Sequence, residues 1–147
     1  MEIKNRKALH DFEVIEKKEA GIQLMGHEVK SIRNSSAQLA GGFCKFVKGE
    51  LFLFDVNISR YENTYATQHI EEKRVRKILL KRKELDKWFK AVNLNGLSIV
   101  PLSMYFNDKN ICKIEICLVK GKKTHDKRND LKEKDIQRQA DIRNKDF

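Results

Sequence analysis

Hydrophobic and polar positions alternate through an early stretch of the chain, which is the pattern of a half-buried β-strand. The alternation begins at Phe12 and ends at Met25, with an interruption at Ala20-Gly21. An isolated glycine within a strand usually marks a bulge or a close approach of two backbones. The sequence therefore predicts one long strand that is bent or bulged near Gly21.

Two further pairs of strands are predicted from short apolar runs joined by turn-forming residues. The runs 43–47 and 51–56 flank a short loop that contains Gly49, which is typical of a hairpin. The runs 97–106 and 111–119 are joined by polar residues of the kind that form turns. The chain therefore places most of its strands next to their neighbours in sequence.

Apolar residues three or four positions apart predict helices between these strands. Val29 and Ile32 indicate a short helix over 28–33, which is followed by turn-forming residues. The charged side chains of this helix are expected to face outward: Glu28, Lys30 and Arg33.

A longer helix is predicted over 82–92, where four apolar residues share one face: Leu85, Trp88, Phe89 and Val92. Asn95-Gly96 is expected to end it. The run 78–80 just before it is compatible with a short strand or with the first turn of that helix.

Five or six short antiparallel strands with two or three helices predict a mainly β fold. We expect a small antiparallel β-barrel, closed or partly open, with helices on its flank. A β-sandwich is the alternative topology. Pro101 lies within a predicted strand and indicates an edge or a bulge, because proline cannot donate a ladder hydrogen bond.

The composition changes after Val119, which divides the chain into a barrel domain of residues 1–119 and a tail of residues 120–147. Only five of the 28 tail residues are apolar, whereas ten are Lys or Arg and six are Asp or Glu. Such a segment buries too little apolar area to offset its ordering entropy. We therefore expect the tail to be disordered in the free protein and to become helical on a partner.

The net charge of +10 on 147 residues, with 31 Lys plus Arg against 21 Asp plus Glu, favours polyanionic partners. Residues 72–90 hold nine cations and three acids. A solvated charged face is as reasonable an interpretation of this run as a phosphate-binding one. Residues 121–128 place His125 among four cations, a pattern that suits RNA but equally fits a basic linker.

Other kinds of chemistry find little support in the residues. Cys112 and Cys117 are an odd number of positions apart on one predicted strand, so they should face opposite sides and not bind one metal ion. Cys44 is expected in the core. The chain has no phosphate-binding loop and no nucleophile elbow, so we expect no enzyme activity, no metal and no cofactor. The absence of a secretory signal and of a membrane span, with three cysteines, predicts a cytoplasmic protein with reduced thiols and no membrane partner.

Taken together, the motifs resemble the SsrA-binding protein family, also called small protein B, the bacterial partner of transfer-messenger RNA. The similar stretches keep the family's order from residue 5 to about 134. They are Asn5-Arg6-Lys7-Ala8-Leu9-His10-Asp11-Phe12, Glu19-Ala20-Gly21-Ile22, Gly26-His27-Glu28-Val29-Lys30-Ser31-Ile32-Arg33, Gly49-Glu50-Leu51-Phe52-Leu53, Arg76-Lys77-Ile78-Leu79-Leu80, Lys83-Glu84-Leu85-Asp86, Val100-Pro101-Leu102, Tyr105-Phe106 and Gly121-Lys122-Lys123-Thr124-His125-Asp126-Lys127-Arg128.

The resemblance implies an oligonucleotide-binding-like barrel that binds the tRNA-like part of transfer-messenger RNA. It also implies delivery of that RNA to ribosomes stalled on broken messages, for trans-translation, with the tail in the empty message channel. Elongation factor Tu would be an indirect partner through the aminoacylated RNA, and the protein would be a monomer. The alternative is a structural ribosomal protein with the same kind of barrel.

The resemblance also implies roles for individual residues. Asn5 and Glu19 would hydrogen-bond base or ribose edges, and Leu79 would pack on a base or sugar or be structural. The cations that would neutralise phosphates are Lys30, Arg33, Arg76, Lys77, Lys122 and Lys123. The residues that match the family's decoding-centre motif are His125, Asp126, Lys127 and Arg128. His125 would stack on a base of small-subunit ribosomal RNA, and Asp126 would either contact the ribosome or be structural.

Overall fold

The computed structural model describes residues 2–60 and 71–121. Within them the chain forms nine strands and three helices. Their order is β1 (Glu2–Lys4), α1 (Arg6–Asp11), β2 (Phe12–Ile22), α2 (Gly26–Arg33), β3 (Ala37–Gln38), β4 (Phe43–Val47), β5 (Glu50–Phe54), β6 (Asn57–Ile58), β7 (Arg76–Leu79), α3 (Arg82–Asn95), β8 (Ser98–Phe106) and β9 (Cys112–Gly121).

Six antiparallel strands close into a barrel. The sheet runs β8-β4-β5-β7-β2-β9, and β9 pairs again with β8, so every strand in the ring has two neighbours. Strand β1 adds to the far half of β8, and β3 pairs separately with β6. The predicted mainly β fold with an antiparallel barrel and flanking helices is confirmed, and the β-sandwich alternative does not apply.

The interior of the barrel is filled by apolar side chains that alternate with outward-facing ones, as the period-two pattern requires. Burying an Ile or Leu side chain fully contributes about 1.5 to 3 kcal/mol, so this core is the main source of stability. The most deeply buried members include Leu51, Leu53, Ile78, Met104, Ile114 and Ile116.

Helix α3 packs on the barrel with the face that the sequence predicted. Leu85 and Trp88 are buried, and the Phe89 ring meets the Phe46 ring edge-on at a centroid distance of 5.3 Å. The indole N–H of Trp88 donates to the Glu16 carboxylate at 3.2 Å, which connects the helix to β2. The helix ends at Gly96, whose φ of 63° is the left-handed conformation that glycine adopts without strain.

Strand β2 is bulged, but not where the sequence predicted. The pairing with β9 shifts register between Val14 and Glu16, whereas Gly21 pairs regularly with both neighbours. The expectation of a bulge at Gly21 was therefore wrong. Pro101 does mark a bulge, since the β8–β9 register shifts just after it.

The three cysteines are free and buried, and Cys112 and Cys117 lie in two different apolar clusters on opposite sides of β9. Burial raises the pKa of the Cys112 thiol to about 11, although Arg33 acts in the opposite direction. Burial also raises the pKa of the Cys117 thiol to about 12. The prediction that the two side chains face opposite sides of the strand is confirmed. Among the described residues, no helix has the length and apolar character needed to cross a membrane.

Candidate nucleic-acid interface

The paired strands β2 and β7 present one outward face that carries three of the predicted site residues. Gly21 pairs with Leu79 and Ile22 pairs with Ile78, and both isoleucines point into the core. Side chains alternate along a strand, so Glu19 on β2 and Lys77 and Leu79 on β7 point outward together. We call this surface, Glu19, Gly21, Lys77 and Leu79, the β2–β7 face.

Gly21 allows Leu79 to lie flat against the backbone of β2. A Cβ atom at position 21 would stand 3.2 Å from the Cβ of Leu79, closer than most such contacts. Leu79 is nevertheless 43% exposed. An exposed leucine that is held in place beside a cation suits an apolar contact with a base or a sugar.

Glu19 is held in position by a residue to which the sequence analysis assigned no role. The Tyr105 hydroxyl on β8 donates a hydrogen bond to the Glu19 carboxylate. Burial and the adjacent Glu19 carboxylate raise the pKa of the Tyr105 hydroxyl, so it remains a proton donor. The second oxygen of Glu19 stays available to accept from an amino group on a ligand.

Helix α2 adds two cations at the end of the barrel next to this face. Lys30 and Arg33 are three positions apart and therefore on neighbouring turns of the same side. Both are exposed. The guanidinium carbon of Arg33 lies 4.4 Å from the centre of the Phe106 ring, a cation–π contact that orients the side chain.

A buried ion cluster fixes α2 to the start of β7. The Glu28 carboxylate is 1% exposed and accepts from the guanidinium of Arg74 at 2.6 Å and from the Arg76 Nε at 2.8 Å. Arg76 also donates to the carbonyl of Val56 at 2.7 Å, and Glu28 accepts from the Met25 amide at 2.8 Å. The cluster sets the position of α2, and with it the positions of Lys30 and Arg33 relative to the β2–β7 face.

The contacts within this cluster keep its carboxyl and guanidinium groups ionised. Burial acts to raise the pKa of the Glu28 carboxyl, but hydrogen bonds from Arg74, the Met25 amide and Arg76 outweigh it, and the pKa lies below its ordinary value. Burial lowers the pKa of the Arg76 guanidinium, and Glu28 opposes that effect. An arginine remains protonated at neutral pH, so the cluster is ionic.

Two site residues are placed where they cannot reach RNA directly in this conformation. Arg76 is 1% exposed and bonded within the protein, so its expected phosphate contact is replaced by a structural role. Asn5 is 4% exposed; its oxygen accepts from the Ala8 amide at 3.2 Å and its amide donates to the Pro101 carbonyl at 2.9 Å. Asn5 begins α1 and ties it to β8. Glu28, expected to face outward, is also buried.

The remaining predicted residues lie outside the described part of the chain. These are Lys122, Lys123, His125, Asp126, Lys127 and Arg128. Their roles remain predictions. The described chain ends at Gly121, which pairs with Phe12 at the start of β2.

Two residues of this surface were missed by sequence reasoning, Tyr105 and Phe106. Each acts through a partner far along the chain, Glu19 in the first case and Arg33 in the second. Tyr105 and Phe106 are consecutive on β8, so they point to opposite sides of the strand, and neither position by itself indicates its distant partner.

The closed barrel, with cations and an exposed apolar side chain on one face, defines an oligonucleotide-binding-like β-barrel protein. The family described as SmpB protein matches residues 2–146. The chain therefore belongs to the SmpB family.

Relatives named SsrA-binding protein support the same assignment. The chain is 49% identical over 138 residues to that of Sulfurovum sp. (strain NBC37-1), covering 92% of this chain and 89% of the relative. It is 50% identical over 137 residues to that of Campylobacter hominis, covering 93% and 90%. It is 47% identical over 141 residues to that of Helicobacter pylori (strain J99), covering 95% and 93%.

A solved structure has a similar fold. It is described as "tmRNA-SmpB: a journey to the center of the bacterial ribosome", and it matches with a TM-score of 0.71 and 37% sequence identity. The match covers 97% of this chain and 95% of the other.

Proposed function

We propose that this protein binds the tRNA-like domain of transfer-messenger RNA and delivers it to stalled ribosomes for trans-translation. The observation that carries the proposal is the β2–β7 face. The chain that presents this face matches the SmpB family over residues 2–146. The relatives are named for binding SsrA, and the similar structure is described as a tmRNA-SmpB assembly.

On this surface, the residues divide by chemistry. Lys30, Arg33 and Lys77 contact phosphates, which supplies affinity without reading sequence. Glu19 accepts from base or ribose donors, and Leu79 packs on an unpaired base or on a sugar. The Glu28–Arg76 pair and Asn5 hold the framework that keeps these groups in place.

The tail has a separate task in the proposal. Residues 1–119 form the RNA-binding domain, and residues 120–147 enter the message channel of the ribosome and become helical there. His125 stacks on a base of small-subunit ribosomal RNA, and Asp126, Lys127 and Arg128 accompany it in the decoding centre. Lys122 and Lys123 contact RNA at the junction.

The protein works as a non-enzymatic monomer in the cytoplasm. Its role needs no cofactor, because recognition and delivery are binding events. Elongation factor Tu takes part indirectly, through the aminoacylated transfer-messenger RNA.

Filter binding tests the RNA preference. The full chain should bind transfer-messenger RNA more tightly than an ordinary elongator tRNA at the same salt concentration. Equal affinity for the two RNAs would contradict the proposal. Measurements over a range of salt should show log K falling by roughly 0.7 to 0.9 per phosphate neutralised.

Truncation tests whether RNA binding and entry into the ribosome belong to separate parts of the chain. A chain that ends at Lys123 keeps β9 whole, because Gly121 is the last residue of that strand, and it also keeps the two junction lysines. It should retain the affinity for transfer-messenger RNA within about threefold but fail to tag stalled polypeptides in a reconstituted translation system. Equal loss of both activities would contradict the two-part assignment.

A further inference from the structure

A cleft between β4 and β8 presents apolar side chains that the described residues leave partly uncovered. The two strands are neighbours in the ring but pair only at Cys44 and Ile99. Their divergence opens a cleft with a volume of about 530 Å³, bounded by α1 and α3, which we call the β4–β8 cleft. Covering its wall with another apolar group is favourable, because that removes apolar surface from water. Six apolar residues that line it are only partly buried: Phe12, Phe43, Phe46, Phe89, Val92 and Leu97.

The rim of the cleft carries more positive than negative charge. Lys7 is exposed on α1, and Lys45 lies on β4 with its ammonium 4.8 Å from the centre of the Phe43 ring. Asp11 is the only carboxylate among the described residues that line the cleft. A peptide segment that combines aliphatic side chains with an excess of carboxylates therefore complements both the wall and the rim.

The chain itself carries such a segment beyond the described residues. Residues 130–142, which we call the tail segment, hold four acids and three cations. On either side the tail is basic, since residues 120–129 hold five cations and one acid, and residues 143–147 hold two cations and one acid. The acidic excess therefore coincides with four of the five apolar residues of the tail: Leu131, Ile136, Ala140 and Ile142.

The tail leaves the barrel beside the cleft. Gly121, the last described residue, pairs with Phe12, which lines the cleft. Eight residues, 122–129, connect Gly121 to the tail segment, and they reach up to about 26 Å when extended. A short tether of this kind gives the tail segment an effective concentration on the order of millimolar at the cleft. A contact too weak to form between separate molecules is therefore populated within one chain.

We infer that the tail segment docks in the β4–β8 cleft when the protein is not bound to a ribosome. Leu131 and Ile136 cover the apolar wall, and the acids of the segment face Lys7 and Lys45. The tail has too little apolar area to fold by itself, but the cleft supplies an apolar partner on the same chain. Docked and released forms coexist where the effective concentration is close to the dissociation constant of the contact.

Docking has a consequence for the proposed function. A segment that occupies the cleft cannot lie in the message channel at the same time, so the tail must leave the cleft before it enters the ribosome. This consequence rests on the proposed function, whereas docking in the free protein does not.

Amide NMR spectra of the isotope-labelled full chain, without RNA, test the docking. Leu131→Ser combined with Ile136→Ser, the release variant, removes the apolar contacts of the tail segment and leaves every described residue unchanged. The amide signals of three cleft residues, Phe43, Val92 and Ser98, should shift in the release variant because the tail no longer covers them. The signals of the β2–β7 face should stay at their wild-type positions.

The matched control changes two polar residues of the same segment. Gln137→Ser combined with Gln139→Ser keeps the apolar side chains and should leave the three cleft signals at their wild-type positions. Unchanged cleft signals in the release variant would overturn the inference. Equal shifts in the release variant and in the control would also overturn it, because the apolar contacts would then not be what docks the segment.

A nitroxide spin label on the tail measures the contact itself. The three native cysteines are at most 7% exposed and burial raises the pKa of each thiol, so a thiol reagent labels Arg138→Cys selectively. The label should lower the intensity of the three cleft signals to about half or less, and the release substitutions should restore it. Equal intensity loss on every outward face of the barrel would indicate random collisions and contradict docking.

Mixing two populations of the full chain separates docking within one chain from docking between copies. One population carries the spin label on Arg138→Cys without isotope, and the other carries the isotope without the spin label. The cleft signals should keep their intensity in the mixture, and an intensity loss equal to that in the singly prepared protein would assign the contact to a second copy. No RNA is present in these experiments, so failure of docking leaves the β2–β7 assignment intact, and failure of the filter-binding test leaves docking intact.

Discussion

The Glu28 carboxylate on α2 accepts a hydrogen bond from the Arg76 Nε on β7 at 2.8 Å, and both side chains are 1% exposed. The two residues are 48 positions apart. Through this pair, α2 with its two exposed cations is fixed beside the strand that carries Lys77 and Leu79. The geometry of the proposed RNA surface therefore depends on a contact that is buried within the protein.

Removing one partner of this pair should destabilise the whole protein. Glu28→Gln leaves the buried Arg76 and the partly buried Arg74 without their counter-ion, which typically costs about 3 to 5 kcal/mol. Thermal and urea unfolding measure the change. Glu13→Gln, the same substitution at an exposed position of β2, should change the unfolding free energy by less than about 0.5 kcal/mol. Similar losses in the two variants would contradict the structural role of Glu28.

The same carboxylate gives stability a defined dependence on pH. Its pKa is held below the ordinary value of 4.5, so the unfolded chain takes up a proton at Glu28 before the folded protein does. This contribution is fully present above about pH 5 and is lost as the pH falls through the lower folded pKa. Urea unfolding between pH 3 and 7 should show a decline on the acid side that is smaller in Glu28→Gln. An identical acid dependence in both proteins would mean that the pKa of Glu28 is the same in the folded and the unfolded chain.

Lys77 and Arg76 are adjacent in sequence but should respond differently to substitution. Lys77 is half-buried and its ammonium is 3.9 Å from Glu50, a surface pair that contributes little to stability. Lys77→Gln should lower the salt slope of binding to transfer-messenger RNA by roughly 0.7 to 0.9 without lowering the melting temperature. Arg76→Gln should instead lower the melting temperature.

Lys109→Gln, in the exposed β8–β9 turn, is the charge-matched control for Lys77→Gln and should leave the salt slope unchanged. A slope that stays the same in Lys77→Gln would place this residue away from the RNA.

Leu79 should contribute to RNA affinity but little to the free energy of unfolding. It is 43% exposed, so truncation creates no cavity, and Leu79→Ala should preserve the unfolding free energy within about 1 kcal/mol. Loss of an apolar contact of this size should weaken binding of transfer-messenger RNA by about tenfold, or roughly 1.4 kcal/mol. Ile15→Ala, at a similarly exposed position of β2, should bind like the wild type. Equal affinity in the two variants would give Leu79 no part in the interface.

Tyr105→Phe tests whether Glu19 must be oriented. The variant loses only the hydroxyl that donates to the Glu19 carboxylate and keeps the ring. A net hydrogen bond to a charged group is worth about 1.5 to 3 kcal/mol, but the carboxylate is exposed and water replaces the donor. We therefore expect a threefold to tenfold loss of RNA affinity with little change in stability. If Glu19→Gln alone weakens binding and Tyr105→Phe does not, the carboxylate acts without that support.

Local patterns predicted the elements whose core contacts repeat with a regular period. The β4–β5 hairpin and α3 were found because aromatic and apolar residues alternate in one and recur at three and four positions in the other. Strand β1 and helix α1 were not predicted, since three and six residues carry too little periodicity.

The wrong predictions for individual side chains have a different common cause. Glu28 was expected to face solvent because charged residues usually do, and only a partner 48 residues away makes its burial favourable. Arg76 was assigned to phosphate through the family resemblance, and its burial also depends on that distant partner. The sequence left residues 78–80 open between a short strand and the first turn of a helix. It also did not show which of the two faces of β7 each cation occupies, because the register with β2 and β5 decides that.

The central claim is tested most directly by the RNA that copurifies with the full chain from its own cells. Sequencing of that RNA should show transfer-messenger RNA enriched at least tenfold over total tRNA, and Leu79→Ala combined with Lys77→Gln should abolish the enrichment while Lys109→Gln preserves it. Recovery of ribosomal RNA and tRNA in proportion to their abundance, with no enrichment of transfer-messenger RNA, would contradict the account.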